Sequence, residues 1–331
     1  LDAAFNVILV DQQDEVLMRG VDRVKDHYAK RVQSGKDGEF SANAKVDRLI
    51  STNDWTRLAD ADFVIEAIFE NLDAKRAVFS SLAQVVRPGV VLASNTSYLD
   101  LDVIAAVTHR DQDVVGLHFF SPAQVMKLVE VVQASASSKP AIKTAFAVAA
   151  RMKKLPVLTR NAFGFIGNRI YAAYRKQCEF LLEEGAYPEQ VDRALEEWGF
   201  AMGPFAVGDM SGLDIAWQMR KAFTFQRDPS DRYVSIADRL CEKGRFGRKS
   251  GRGYYDYSNG ASRGAVDAEV HAMIDAASTE KGIQRRPISE IEIQRRALLA
   301  MVNEAAWLVS QGVARSAEDV DIVLTSGYGF P

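Results

Sequence analysis

Cysteine is nearly absent from these 331 residues. Cys178 and Cys241 are the only two, too few for a disulfide framework and without the spacing of metal ligands. A reducing compartment is therefore expected. Excess charge of one sign is also lacking: 41 basic residues against 44 acidic ones leave a formal charge of −3. That balance gives no global attraction to nucleic acid or to an anionic membrane. No uninterrupted apolar run approaches the ~18 residues that a membrane span needs. No basic-then-apolar leader precedes the first strand pattern, and the first residue is Leu1 rather than Met, so the chain is expected to begin inside a longer one. What is present is an ordinary globular composition, 47% hydrophobic and 26% charged. It supplies enough apolar surface to exclude disorder as the main state. The length suggests two domains or three.

Strands alternate with helices in the first half. Val7-Ile8-Leu9-Val10-Asp11 reads as a buried parallel strand ending in an acid. Val16, Leu17, Val21, Val24, Tyr28 and Val32 recur at helical steps, with Gly35 as the stop. Further strands are expected at Asp62–Ala67, Val90–Asn95, Val114–His118, Leu128–Val132 and Leu155–Leu158. Helices are expected at Leu72–Val86 and Ala141–Met152. This alternation predicts a doubly wound parallel sheet. After Thr159 the pattern is helical throughout, with helices at Gly167–Glu184, Glu189–Trp198, Gly212–Phe223 and Ile236–Lys243. An internal repeat follows. Ile166 through Gly185 matches Ile293 through Gly312, with Arg169 falling on Arg296. After a two-residue insertion, Val191-Asp192 falls on Val320-Asp321 and Leu195 on Leu324.

Several polar residues sit where such a sheet binds ligands, outside the carboxyl ends of its strands. Asp11 ends the first strand. An acid there accepts hydrogen bonds from an adenosine ribose and repels a 2′-phosphate, although an acid in that place is more often a simple strand terminus. The glycine-rich turn that normally precedes it is absent, and neither Gly20 nor Gly35 replaces it. His118 ends another strand, and an imidazole is a suitable general base near neutral pH. Glu130, in the next strand, is placed to fix its tautomer. Ser94-Asn95-Thr96-Ser97 reads as turn formers or as donors to a substrate oxygen. Asn168 begins a helix, where it is either a cap or part of a site for an anion or polarised carbonyl. The basic, glycine-rich stretch from Lys243 to Tyr255 is not a phosphate loop, and it is read as a solvated loop.

Together these stretches resemble the L-3-hydroxyacyl-CoA dehydrogenase family. The matching motifs are Phe63-Val64-Ile65-Glu66-Ala67-Ile68-Phe69-Glu70, Ala93-Ser94-Asn95-Thr96-Ser97, Gly116-Leu117-His118-Phe119-Phe120-Ser121-Pro122, Val129-Glu130-Val131, Phe163-Gly164-Phe165-Ile166-Gly167-Asn168-Arg169, Gly203-Pro204-Phe205 and Gly247 to Tyr255. The repeated helical unit is similar to the dehydrogenase part of multifunctional β-oxidation enzymes. The resemblance implies a Rossmann-like NAD-binding domain over 1–159 that lacks its first strand. It implies a first helical domain over 160–258, then a linker and a second, incomplete helical repeat over 259–331. It implies His118 as general base with Glu130 as its partner, and Ser97 and Asn168 on the reacting oxygen or the neighbouring acyl carbonyl. Asp11 would bind the adenosine ribose of NAD, and Glu70, Lys75 and Asn95 would line the nicotinamide side. No metal is implied. Without the glycine turn, these residues by themselves are expected to bind NAD weakly.

The expected activity is NAD-dependent oxidation of (3S)-3-hydroxyacyl-CoA to 3-ketoacyl-CoA. The expected partners are acyl-CoA and, for the parent protein, a thiolase, with no nucleic acid and no membrane span. The two helical units are expected to pack on each other and leave a monomer or weak dimer. A bacterial-type cytoplasmic location is expected, with a peroxisomal one as the alternative. Two other readings stay open: a related two-domain hydroxyacid dehydrogenase, and a catalytically impaired binding or structural module.

Overall fold

A computed structural model describes residues 1–222, 228 and 230–331. β1 (Val7–Val10) pairs in parallel with β2 (Leu49–Thr52), joined by α1 (Asp14–Gln33) and α2 (Glu39–Val46). β3 (Phe63–Glu66), α3 (Leu72–Val85), β4 (Val91–Ser94), α4 (Leu101–Ala106), β5 (Val114–Phe119), β6 (Leu128–Gln133), α5 (Lys139–Arg151) and β7 (Leu155–Arg160) follow. These five strands form one sheet in the order β3-β4-β5-β6-β7, separate from the β1–β2 pair. The central strands β4, β5 and β6 are buried on both faces. Leu92, Val114 and Val132 pack under Phe79, Leu82, Leu101 and Ile104 of α3 and α4. Val91, Ala93, Val115, Leu117, Val129 and Val131 pack under Ala141, Ala145 and Ala149 of α5. Small side chains on α5 let it lie close to the sheet, and the alternation along each strand places helices on both sides.

One pairing departs from the expected parallel sheet. β5 and β6 run antiparallel, with His118 directly opposite Glu130. The cause is the length of the connection. Residues 120–127 join the two strands, whereas a parallel crossover takes about a dozen residues or more. The other pairings in this sheet are parallel.

The second half is helical: α6 (Gly167–Glu184), α7 (Pro188–Trp198), α8 (Pro204–Ser211), α9 (Leu213–Ala222), α10 (Ile236–Glu242), α11 (Ala268–Glu280), α12 (Glu290–Ser310) and α13 (Ala317–Gly327). Of the helix expected at Gly212–Phe223, Phe223 lies outside the described residues. Two compact units emerge. One comprises Leu1–Ile166 with Val309–Gly327, the other Gly167–Leu308 with Tyr328–Pro331.

The repeated helix pair is divided between these units, which changes the expected packing. α12 does pack on the first copy: Arg296 pairs with Glu184 of α6, and Gln294 donates to the Ala194 carbonyl of α7. α13 instead lies beside β6 and β7. Its apolar face, Val320, Val323 and Leu324, is buried. Just before it, the Val313 carbonyl accepts from the Arg160 N–H, so the repeat extends the edge of β7.

The glycine-rich basic stretch is not the solvated loop expected. Asp209 of α8 accepts from the backbone N–H groups of Tyr254 and Tyr255. A Cβ at Gly253 would overlap the Asp209 carboxyl. Arg245 is buried, donating to the Gly253 carbonyl and to Asp267. Asp192 of α7 accepts in the same way from Phe205 and Ala206 N–H, at the start of α8, and from the Tyr255 hydroxyl. Burial pushes the Asp192 carboxyl from an ordinary 3.8 up to about 7, against the pull of those three donors. Burial likewise pushes Asp209 to about 6. A carboxyl with a raised folded-state value holds a proton that the unfolded chain has released. Stability from this source is full below about pH 4 and is lost as pH rises through 7. Asp192→Asn is therefore expected to flatten the pH dependence of the urea midpoint between pH 5 and pH 8. A variant whose profile is as steep as the parent's would remove Asp192 as its source.

Candidate active site

Three loops at the carboxyl ends of β3, β4 and β5 carry the polar residues of the first unit. Glu66, the last residue of β3, is a buried carboxylate with several partners. Its Oε1 accepts from Lys75 Nζ at 2.7 Å and from the Ile68 N–H at 2.7 Å. Its Oε2 accepts from Ser94 Oγ at 2.7 Å. Lys75 reaches it from the first turn of α3 and is 0% exposed. The ammonium also donates to the Ile68 carbonyl and lies 3.6 Å from Glu70 Oε2. Lys75 thus stands beneath the 67–71 loop rather than at its surface.

Glu70 joins that loop to the next one. Its Oε1 accepts from Thr96 Oγ1 at 2.6 Å and from the Ser97 and Tyr98 N–H groups at 2.8 and 3.0 Å. Thr96 Oγ1 accepts in turn from the Leu99 N–H. The Asn95-Thr96-Ser97 segment is therefore a built turn, and Glu70 fixes where Ser97 stands. Asn95 extends the link to the third loop: its N–H donates to the Glu66 carbonyl, and its Oδ1 accepts from the Phe119 N–H at 3.0 Å.

His118 and Glu130 meet across the antiparallel pair. His118 Nδ1 lies 2.6 Å from Glu130 Oε2. The histidine is 5% exposed and the glutamate 0%. A carboxylate at Nδ1 keeps the ring proton on that nitrogen and leaves the Nε2 lone pair as an acceptor. Glu130 Oε1 accepts from the Ile166 N–H at 3.1 Å. The Phe120 and Phe165 rings lie 4.6 and 5.6 Å from the imidazole. Phe165 takes a φ of 48°, in the left-handed region that bulky residues rarely adopt. That turn brings the Ile166 N–H onto the carboxylate.

Asp11 follows β1 directly and accepts from the Gln13 N–H at 3.0 Å. It is half-buried, at the carboxyl end of its strand. α1, which comes next, opens with Asp14 and Glu15. Acids in a first turn complement the partial positive charge of the helix start. Asp11 and the loops carrying Glu70 and Asn95 stand at the carboxyl ends of β1, β3 and β4, where a doubly wound sheet binds its ligand. In the second unit, Asn168 stands at the second position of α6, and its Oδ1 accepts from the Tyr328 hydroxyl at 2.6 Å. Among the described residues, no cluster of three His, Cys, Asp or Glu could hold a metal ion, and no helix is long and apolar enough to cross a membrane.

Sequence reasoning missed Glu66, Ile166 and Tyr328 as members of these networks. Glu66 had one signal, an acid inside an apolar strand, where a charge needs a partner. The Ile166 contact is made by the backbone and leaves no trace in residue type.

Residues 1–162 match the family model described as 3-hydroxyacyl-CoA dehydrogenase, NAD binding domain. Residues 164–257 match that of the 3-hydroxyacyl-CoA dehydrogenase C-terminal domain. The chain is 45% identical over 286 residues to the peroxisomal bifunctional enzyme of Danio rerio, covering 83% of this chain and 40% of that enzyme. It thus spans about two fifths of the length of that curated relative. The crystal structure of 3-hydroxybutyryl-CoA dehydrogenase from Escherichia coli K12 aligns with a TM-score of 0.86 at 28% identity, over 99% of this chain and 85% of that one. The dehydrogenase part of multifunctional enzyme 1 from C. elegans aligns with a TM-score of 0.67 at 30% identity, over 99% of this chain and 74% of that one.

Proposed function

The chain belongs to the 3-hydroxyacyl-CoA dehydrogenase family, and on that premise we propose that it oxidises (3S)-3-hydroxyacyl-CoA to 3-ketoacyl-CoA with NAD in fatty-acid β-oxidation. The observation that carries the reading is the buried His118–Glu130 pair, with Nδ1 engaged at 2.6 Å and Nε2 left as the base. Nε2 takes the proton from the 3-hydroxyl as the carbonyl forms. Glu130 stabilises the imidazolium that results, and the Ile166 N–H holds the carboxylate in place. Ser97 and Asn168 donate to the reacting oxygen or to the neighbouring acyl carbonyl. Asp11 receives the adenosine ribose. Glu70 and Asn95 line the nicotinamide side, and Lys75 supports that side from beneath through Glu66 and Glu70. Asp11, Glu70 and Asn95 would hold the dinucleotide, whose chemistry would be to take up the hydride that leaves C3.

Asp11 decides the cofactor. A carboxylate at a strand end accepts from ribose hydroxyls and repels a 2′-phosphate. The protein is expected to prefer NAD over NADP in kcat/KM, and Asp11→Ala is expected to narrow that preference. An unchanged ratio would take Asp11 out of the role. The substrate partner is an acyl-CoA, and the protein is expected to be a monomer or weak dimer, which light scattering tests. Association with a thiolase is tested by co-purification. The peroxisomal and glyoxysomal names of relatives favour a peroxisomal location over a cytoplasmic one, which organelle fractionation reads.

A further inference from the structure

The start of α6 is held by a residue that lies far away in sequence. The Tyr328 hydroxyl donates to Asn168 Oδ1 at 2.6 Å. The Tyr328 ring stacks on Tyr171, one turn along α6, with centroids 5.5 Å apart and planes at 28°. Gly167 precedes Asn168, and a Cβ there would overlap the Tyr328 ring. Glycine is required at 167 by the seat of that ring. The residues after Tyr328 dock into the same unit. The Phe330 ring lies 5.5 Å from that of Trp198 and 5.6 Å from that of Phe200, and a Cβ at Gly199 would touch Pro331.

A carboxamide has an acceptor end and a donor end, which differ little in shape. Asn168 can donate to an acyl oxygen only if its Nδ2 end is the one presented. A phenol can donate to the amide oxygen or accept from the amide nitrogen; here it engages Oδ1, which turns Nδ2 the other way. We propose that Tyr328 is a positioning residue for Asn168: by holding Oδ1, it presents Nδ2 as the donor to the oxygen of the acyl substrate. The second copy of the repeated helix pair thereby supplies a group that orients the first. The proposal rests on the reading of Asn168 given above.

A double-mutant cycle in the intact protein tests it, with kcat and both KM values measured for the parent, Tyr328→Phe, Asn168→Ala and the double variant. Phenylalanine keeps the stacking and removes only the hydroxyl. Tyr328→Phe is expected to lower kcat/KM for 3-hydroxyacyl-CoA by about 3- to 10-fold, the range for one lost hydrogen bond. The KM for NAD should stay as in the parent. In the Asn168→Ala background the same change should cost nothing further. Equal losses in both backgrounds would overturn the proposal, since Tyr328 would then act without Asn168. So would full activity of Tyr328→Phe where Asn168→Ala is impaired. Parent activity in Asn168→Ala would instead remove the reading of Asn168 itself, and the role of Tyr328 with it.

Discussion

His118→Ala in the intact protein is expected to lower kcat/KM for 3-hydroxyacyl-CoA by about 10²–10⁴-fold, the usual loss for a general base. The fold should persist. His118 lies at the end of β5, and the core beneath it is built by Leu117, Val115 and their neighbours. Its imidazole contacts Glu130 and two phenyl rings, so alanine leaves a small gap beside a carboxylate that still accepts from the Ile166 N–H. Circular dichroism and NADH binding should match the parent. The KM for NAD should change little if the histidine acts on the substrate hydroxyl as proposed. Turnover at the parent's rate would end the assignment of His118 as the base.

Glu66→Leu is expected to cost stability on a scale that few single changes reach. The side chain is buried, and it accepts from a buried ammonium, a hydroxyl and a backbone N–H. Removing one partner of a buried ion pair costs about 3–5 kcal/mol, because the other charge remains without compensation. The urea midpoint should fall accordingly. Replacing both partners, Glu66→Leu with Lys75→Met, should recover a large part of the loss, since a buried pair is often no better than an apolar pair of similar volume. A single variant as stable as the parent, or a double variant worse than the single, would show that the pair does not hold this loop. Activity should fall in both variants through the 67–71 loop, whose Glu70 fixes the Ser97 turn.

Long periodic elements were legible in the sequence. α6 begins and ends where its apolar spacing and Gly185 place it, and α3 matches to within one residue. Short or polar elements were not. β2, Leu-Ile-Ser-Thr, has too little apolar content to stand out, although pairing with β1 makes it a strand. α8 contains Pro204 and Gly208, which read as breakers, yet Asp192 caps its start. The antiparallel β6 could have been deduced from the short 120–127 connection. In the site, His118 and Glu130 were legible because both are polar residues in otherwise apolar strands. Tyr328 was not, because it lies 160 positions from Asn168 and no local pattern encodes a contact of that range. The packing of α13 on the sheet was hidden for a related reason. Its apolar face shows that the helix must be buried, but not against which partner.

The antiparallel pairing of β5 and β6 also separates what can vary from what cannot. Side chains alternate between faces along a strand, so a slip of one residue would turn either His118 or Glu130 to the opposite side of the sheet. Single-residue insertions or deletions within 114–119 or 128–133 should therefore abolish the pair outright. Residues 121–127 lie outside this pairing, and changes there that keep its register leave His118 opposite Glu130. Variation in this chain is therefore expected to collect in that connection rather than in the two strands beside it.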